Sequence, residues 1–176
     1  MPTLTLDRLT ALLRQYTAQT GQPIDLLLIG GLAMSAYGHP SRATIDIDGE
    51  LREGVRPLKE FLSGHGIPAN LGQSLSGWSV VAMPPGYRDR ATILIDEPKL
   101  RVTLLAPVDF IVAKLRRGTD EDLEDAVWIA ARYQITAQQV RVTAEAALAA
   151  SLEDTALFLF ERTVDRFCQN LDSAGR

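Results

Sequence analysis

The chain has little of what several common classes of protein depend on. Its 176 residues contain one cysteine, Cys168, and two histidines, His39 and His65. A single cysteine excludes an internal disulfide, and so few cysteine and histidine ligands argue against a zinc site. No apolar run approaches the ~18 residues that a membrane-spanning helix needs, and the first residues lack the pattern of a secretion signal. We therefore expect a cytoplasmic protein of bacterial type with no membrane partner.

The chain also lacks an excess of positive charge. It carries 22 acidic and 18 basic residues, a net charge of −4, whereas proteins that coat nucleic acids usually present a basic surface. Short basic clusters such as Arg88/Arg90 either bind one end of an RNA or are ordinary solvated charges. The phosphate-loop, dinucleotide-turn and nucleophile-elbow motifs are missing as well, so the enzymes built on those motifs are not indicated.

A glycine pair directly follows an apolar segment near the start of the chain. The nearly continuous apolar run at 24–29 predicts a strand covered on both faces. Gly30 and Gly31 lack a Cβ, which allows a tight turn and close approach of a phosphate to backbone N–H groups. The segment 32–37 would then start a helix whose N-terminus favours anions. The pair is either a phosphate cradle or an ordinary strand-to-helix turn.

Residues 42–48 alternate between polar and apolar side chains. In a strand, positions two apart share a face and lie about 6 to 7 Å apart. The four polar residues are therefore expected on one face: Arg42, Thr44, Asp46 and Asp48. The three apolar residues are expected to face a core: Ala43, Ile45 and Ile47. Because Mg²⁺ takes oxygen ligands, often one or two carboxylates plus substrate phosphates, Asp46 and Asp48 form a candidate Mg²⁺ site. The alternative is a solvated acidic strand face.

A second block places charged residues on two helices. A proline at its start and a glycine past its end predict a helix over 107–117 that carries Lys114 near the edge of its apolar face. Thr119 and Asp122 have the spacing of a capping box that opens the next helix. Asp125 is expected on the same side as Asp122, away from the apolar stripe. Asp122 therefore either caps its helix or acts in a site, and Lys114 is either a surface residue or a phosphate contact.

The order of glycine pair, short helix and Asp-x-Asp strand resembles the nucleotidyltransferase fold of the DNA polymerase β superfamily. The residues that match are Gly30, Gly31, Asp46 and Asp48. The Arg-x-Thr-x-Asp-x-Asp form of 42–48 is most similar to AbiEii-type toxins and their bacterial relatives. The second block is similar to the lysine helix and the Asp-Leu-x-Asp helix of that group. The resemblance implies that Gly30, Gly31, Arg42 and Thr44 contact a nucleotide beside Mg²⁺.

One feature of catalytically complete members is missing, because the candidate strand 100–105 has no acid. The resemblance implies that Lys114, Asp122 and Asp125 complete the active site instead. Two functions stay open. The first is a Mg²⁺-dependent enzyme that moves a nucleoside monophosphate from a nucleoside triphosphate to a hydroxyl of RNA, such as a tRNA end, or of a protein, in a toxin–antitoxin system. The second is a catalytically degenerate member that binds a nucleotide or a partner, such as an antitoxin or a second copy.

The expected fold is α+β. A nucleotidyltransferase-type mixed β-sheet flanked by helices is expected over 1–118, with a helical C-terminal part, 119–176, packed on it. A hairpin is expected over 91–105, with its turn at 96–99. Apolar stripes predict helices over 5–19 and 55–64, and capping patterns at Thr119, Thr136 and Ser151 predict the helices of the C-terminal part.

Overall fold

The computed structural model describes residues 3–40 and 43–174. The chain forms two compact units: Met1–Ser74 with Ala91–Leu104, and Leu75–Arg90 with Leu105–Arg176. This division differs from a boundary at residue 118, because the segments on either side of the hairpin, 75–90 and 105–118, belong with the C-terminal helices.

The described part of the first unit contains a five-stranded mixed sheet, as predicted for the fold. Its strands are β1 (Ile24–Ile29), β2 (Ile47–Leu51), β3 (Ala69–Gly72), β4 (Thr92–Glu97) and β5 (Leu100–Leu104), in the order β3-β2-β1-β5-β4. β1 runs parallel to β5 and antiparallel to β2, β2 runs parallel to β3, and β4 runs antiparallel to β5. The helices of this unit are α1 (Leu6–Thr20), α2 (Gly30–Ala36) and α3 (Val55–Gly64).

Local sequence explains the first of these elements. The Thr5 side chain accepts a hydrogen bond from the Arg8 backbone N–H and begins α1, which ends at Gly21 in a left-handed conformation. Three residues of its predicted apolar stripe are buried, Leu9, Leu13 and Tyr16, and the fourth, Leu6, is half-buried. The apolar run of β1 forms the central strand, and its Leu26 and Leu28 are fully buried.

The second strand begins later than the sequence pattern suggests. Ile45 and Asp46 form a bend, and β2 starts only at Ile47. The reason is the length of the neighbouring strand: β1 ends at Ile29, the partner of Asp48, where the chain turns into α2. The expectation that Ala43 and Ile45 face a core is therefore wrong. Both are exposed, Ile45 by 46%, whereas Ile47 is fully buried as predicted.

The second unit is helical. It contains the short 3₁₀ helix Leu75–Trp78 followed by α4 (Pro107–Arg117), α5 (Asp120–Tyr133), α6 (Ala137–Ala149) and α7 (Leu157–Ala174). Capping boxes at Thr119 and Thr136 confirm two predicted helix starts. The third is wrong, because the Ser151 hydroxyl donates to the Ala147 carbonyl at the end of α6. Over residues 3–40 and 43–174, no helix is long and apolar enough to cross a membrane.

Candidate active site

The glycine pair lies where β1 turns into α2. Gly30 has a φ of +72°, and a Cβ added to it would lie 2.1 Å from Oδ2 of Asp48. A Cβ added to Gly31 would lie 2.8 Å from the Cβ of Thr44. Two side chains of the carboxylate segment therefore occupy the space that the missing methyl groups leave. The close approach that these glycines allow is therefore made by two side chains of the protein, Asp48 and Thr44.

Asp48 lies on β2 between Ile29 of β1 and Asn70 of β3. The Asn70 side-chain amide donates a hydrogen bond to Oδ1 of Asp48, with an Nδ2–Oδ1 distance of 2.9 Å. Sequence reasoning missed Asn70. Its only signal is a polar residue in a short strand, and the parallel pairing of β2 with β3 is what places it beside the carboxylate.

Asp46 reaches the same region without being part of the strand. The Thr44 hydroxyl donates a short hydrogen bond to Oδ1 of Asp46, and the same Thr44 packs against Gly31. The predicted strand alternation is therefore wrong over 43–46, but Thr44 and Asp46 still come to the glycine pair through the bend. Arg42, the remaining predicted nucleotide contact, lies outside the described residues.

The donor chemistry of this group fits a hard divalent cation. Carboxylate oxygens are the ligands that Mg²⁺ prefers, and one or two of them with phosphate oxygens and waters complete its coordination shell. Asp46 and Asp48 are each oriented by a neutral hydrogen-bond donor. Within the part of the chain that the structure describes, no group of three or more His, Cys, Asp or Glu side chains is placed to hold a metal ion. The residues therefore fit a cation that is held by two carboxylates and completed by oxygens of the substrate and of water.

The other predicted site residues form a cluster in the second unit. Lys114 Nζ lies 2.7 Å from Oδ2 of Asp125 and 3.2 Å from Oδ1 of Asp122. Lys114 is only 8% exposed, and Asp122 and Asp125 are 0% and 3% exposed. The alternative of Lys114 as a surface residue is therefore wrong. The structure gathers the predicted residues in two groups, one in each unit, and their union in one active site stays a prediction.

Asp122 caps α5, as one of its two alternatives predicted. Its Oδ2 accepts from the Thr119 hydroxyl at 2.7 Å, and Arg117 donates to both carboxylate oxygens. The expectation that Asp122 and Asp125 lie away from the apolar side of α5 is wrong, because both are buried on the same side as Ile129. Their burial is tolerated because the cations of Lys114 and Arg117 pair with them.

The pKa of Asp122 makes the stability of this cluster depend on pH. Burial acts to raise its pKa, but hydrogen bonds from Arg117 and Thr119 and the charge of Lys114 outweigh burial and lower the pKa from 3.8 to about 2. Since the folded-state pKa is the lower one, the carboxylate stabilises the fold above the unfolded value, and this contribution is lost as pH falls through the folded value.

We therefore expect the stability advantage of the wild type over Asp122→Asn to shrink by about 2 kcal/mol as pH is lowered from 5 toward 2. Urea unfolding at a series of pH values measures this difference. Asp120→Asn, which removes an exposed carboxylate in the same helical turn, is the matched control. An advantage of the wild type over Asp122→Asn that stays constant across this range would contradict the assigned contacts.

No curated protein matches the chain. Among solved structures, an antigenic nucleotidyltransferase-like protein from Paracoccidioides brasiliensis is similar, with 16% sequence identity, a TM-score of 0.47, and coverage of 90% of this chain and 100% of that one. Residues 5–168 match the model of a family described as "Nucleotidyltransferase of unknown function (DUF6036)". Because that match spans most of the chain, the protein belongs to this nucleotidyltransferase family.

Proposed function

We propose that this protein is a Mg²⁺-dependent nucleotidyltransferase that moves a nucleoside monophosphate from a nucleoside triphosphate to a hydroxyl group of RNA or protein. The observation that carries the proposal is the packing of Asp48 against the bare α-carbon of Gly30. This contact brings a carboxylate to the turn where backbone N–H groups at the start of a helix lack intrahelical partners. Asp46 is linked to the same turn because it accepts a hydrogen bond from Thr44, which packs against Gly31.

In the proposed reaction, Asp46 and Asp48 hold the cation, and the glycine turn receives the phosphates. Mg²⁺, when bound, supplies charge neutralisation at the triphosphate. The acceptor hydroxyl oxygen attacks the α-phosphorus, the bond from that phosphorus to the bridging oxygen breaks, and pyrophosphate leaves. The hydroxyl proton passes to water. Positioning and charge stabilisation are expected to supply most of the rate enhancement, as in other phosphoryl transfers.

In this proposal Lys114, Asp122 and Asp125 have a structural role, and their contacts are the reason. The Lys114 ammonium is paired with two carboxylates, and Asp122 is engaged by Arg117 and Thr119. Because these charged groups pair with one another, we propose that they fix α5 against α4. A direct catalytic role would require a substrate to replace these partners.

The likeness to AbiEii-type toxins extends the proposal to a toxin–antitoxin system. Nucleotide transfer would then be the toxic activity, with a tRNA end or a protein hydroxyl as the acceptor. An antitoxin or a second copy as the partner stays a prediction. The second candidate, a member that binds nucleotide without turnover, is favoured by one observation: β5 presents Arg101 and Thr103 where an acid would be expected.

Transfer of label from nucleoside triphosphates tests the proposal. Each of the four α-³²P-labelled triphosphates is incubated with Mg²⁺, the protein and either total RNA or total protein. We expect incorporation by the wild type and a fall of about 100-fold or more in Asp46→Asn, because a carboxylate ligand of the cation is lost. Asp25→Asn, which removes an exposed carboxylate of the same sheet, is the control and should retain activity.

The two functions give different outcomes. Binding of a triphosphate without incorporation into either acceptor pool would overturn the enzyme proposal in favour of the non-catalytic member. Incorporation that Asp46→Asn leaves intact would show that the carboxylate pair is not the site.

A further inference from the structure

We propose that the exposed indole of Trp78 is a stacking site for an unpaired base of single-stranded RNA. Trp78 lies at the end of the short 3₁₀ helix Leu75–Trp78 in the second unit, and 46% of the residue is exposed. A tryptophan buries most of its apolar surface on average, so this exposure is unusual. The inference goes beyond the proposed function, because stacking of a base in this unit does not depend on nucleotide transfer.

The turn that carries the indole is held in place on both sides of the ring. The guanidinium of Arg116 on α4 donates to the Leu75 carbonyl at 2.7 Å and to the Val81 carbonyl at 2.8 Å. The Met83 backbone N–H donates to the Ser76 hydroxyl at 3.0 Å. The exposed ring is therefore presented by a fixed turn, and a fixed turn loses less conformational entropy when a ligand binds.

The surroundings of the indole fit a flat base better than a protein partner. Its neighbours along the chain are Gly77 and Ser79, and a Cβ added to Gly77 would meet no described atom within 4 Å. Val80 is also exposed, by 48%. A protein hot spot requires a wider surround of contacts that exclude water, whereas base stacking requires an accessible aromatic face and accepts any base.

A cation in the same segment suits the phosphate that accompanies a base. The guanidinium of Arg88 lies 4.9 Å from the centre of the Tyr87 ring, and Arg88 is exposed whereas Tyr87 is buried. Arg90 pairs with the buried carboxylate of Asp109. Arg88 is therefore the better phosphate contact of the two arginines, and RNA binding is expected to weaken as the salt concentration rises.

Tryptophan fluorescence tests the proposal, because the chain contains two tryptophans. In Trp128→Phe the remaining indole is Trp78, and in Trp78→Phe it is Trp128, which lies on α5. The probe is a single-stranded RNA of about 12 nucleotides of mixed adenosine and uridine, titrated into each full-length variant. We expect the RNA to quench the fluorescence of Trp128→Phe and to leave that of Trp78→Phe unchanged.

Fluorescence anisotropy of the same RNA, carrying a fluorescein label, measures the affinity. We expect Trp78→Ala to weaken binding by about 10-fold or more, because the stacking surface is lost. Phe158→Ala removes an aromatic ring that is 58% exposed on α7 and should bind RNA as the wild type does. Thermal unfolding checks that both variants are folded.

Each outcome bears on a different claim. No RNA binding by the wild type, or equal binding by Trp78→Ala, would overturn the stacking site, while incorporation of label would still decide the nucleotidyltransferase proposal. RNA binding that depends on Trp78 in a protein that transfers no label would support the site and overturn the proposed function. Loss of label transfer to protein in Trp78→Ala, without RNA binding by the wild type, would assign the indole to a protein partner and overturn the inference.

Discussion

Replacing Gly30 with alanine is expected to weaken cation binding at the carboxylate pair strongly and to destabilise the fold. The left-handed conformation at φ +72° costs an L-residue about 1–2 kcal/mol. The new Cβ would also lie 2.1 Å from Oδ2 of Asp48, far inside contact distance, so the carboxylate must move away. We expect Mn²⁺ affinity to fall by about 100-fold or more. Mn²⁺ titration and thermal unfolding measure the two effects separately.

Gly38 provides the matched control for this substitution. It has a φ of +95°, and no described atom lies within 4 Å of a Cβ added there. Gly38→Ala therefore carries the backbone cost alone, and its cation affinity should match that of the wild type. If Gly30→Ala binds Mn²⁺ as tightly as Gly38→Ala does, then Asp48 is not a ligand and the proposed site is wrong.

Replacing Lys114 with methionine is expected to cause the largest loss of stability among the predicted site residues. Methionine keeps much of the side-chain volume but removes the charge that faces Asp122 and Asp125, both within 3.2 Å of the ammonium. Removing one partner of a buried ion pair typically costs about 3–5 kcal/mol, because the remaining charge is left buried without compensation. The midpoint of urea unfolding, at constant slope, measures the change.

A second substitution separates lost charge compensation from lost packing. In Lys114→Met combined with Asp125→Asn, one uncompensated carboxylate is removed, and we expect part of the stability to return. Lys59→Met, at an exposed lysine, should change stability by less than about 0.5 kcal/mol. A stable Lys114→Met protein that has lost nucleotide transfer would contradict the supporting role and favour direct contact of Lys114 with substrate.

The sequence predicted the glycine turn and the carboxylates because local rules govern them. An apolar run followed by two glycines fixes a strand that turns at once into a helix, and the structure confirms β1 and α2. The capping boxes of α5 and α6 were equally local. The strand prediction failed over 43–46, because a strand extends only as far as a neighbour pairs with it, and β1 ends at Ile29.

The part of the site that depends on distant segments could not be read from the chain. Asn70 is 22 positions from Asp48 in sequence, and their contact exists because β2 and β3 pair in one particular register. The burial of Lys114 was likewise hidden. An isolated lysine at the edge of an apolar face is usually exposed, and only the packing of α5 on α4 supplies the two carboxylates that make its burial favourable.

The sequence by itself determined which chemical groups are present, where the chain turns, and which family the protein belongs to, because each of these depends on residues close together along the chain or on a shared pattern. Tertiary structure alone decided which oxygen of each carboxylate is engaged, that Asp48 packs on Gly30, and that Lys114 is buried between acids. Hydrogen bonds and ion pairs act over a few ångströms, so residues distant in sequence influence one another only after the sheet and the helices have brought them into contact.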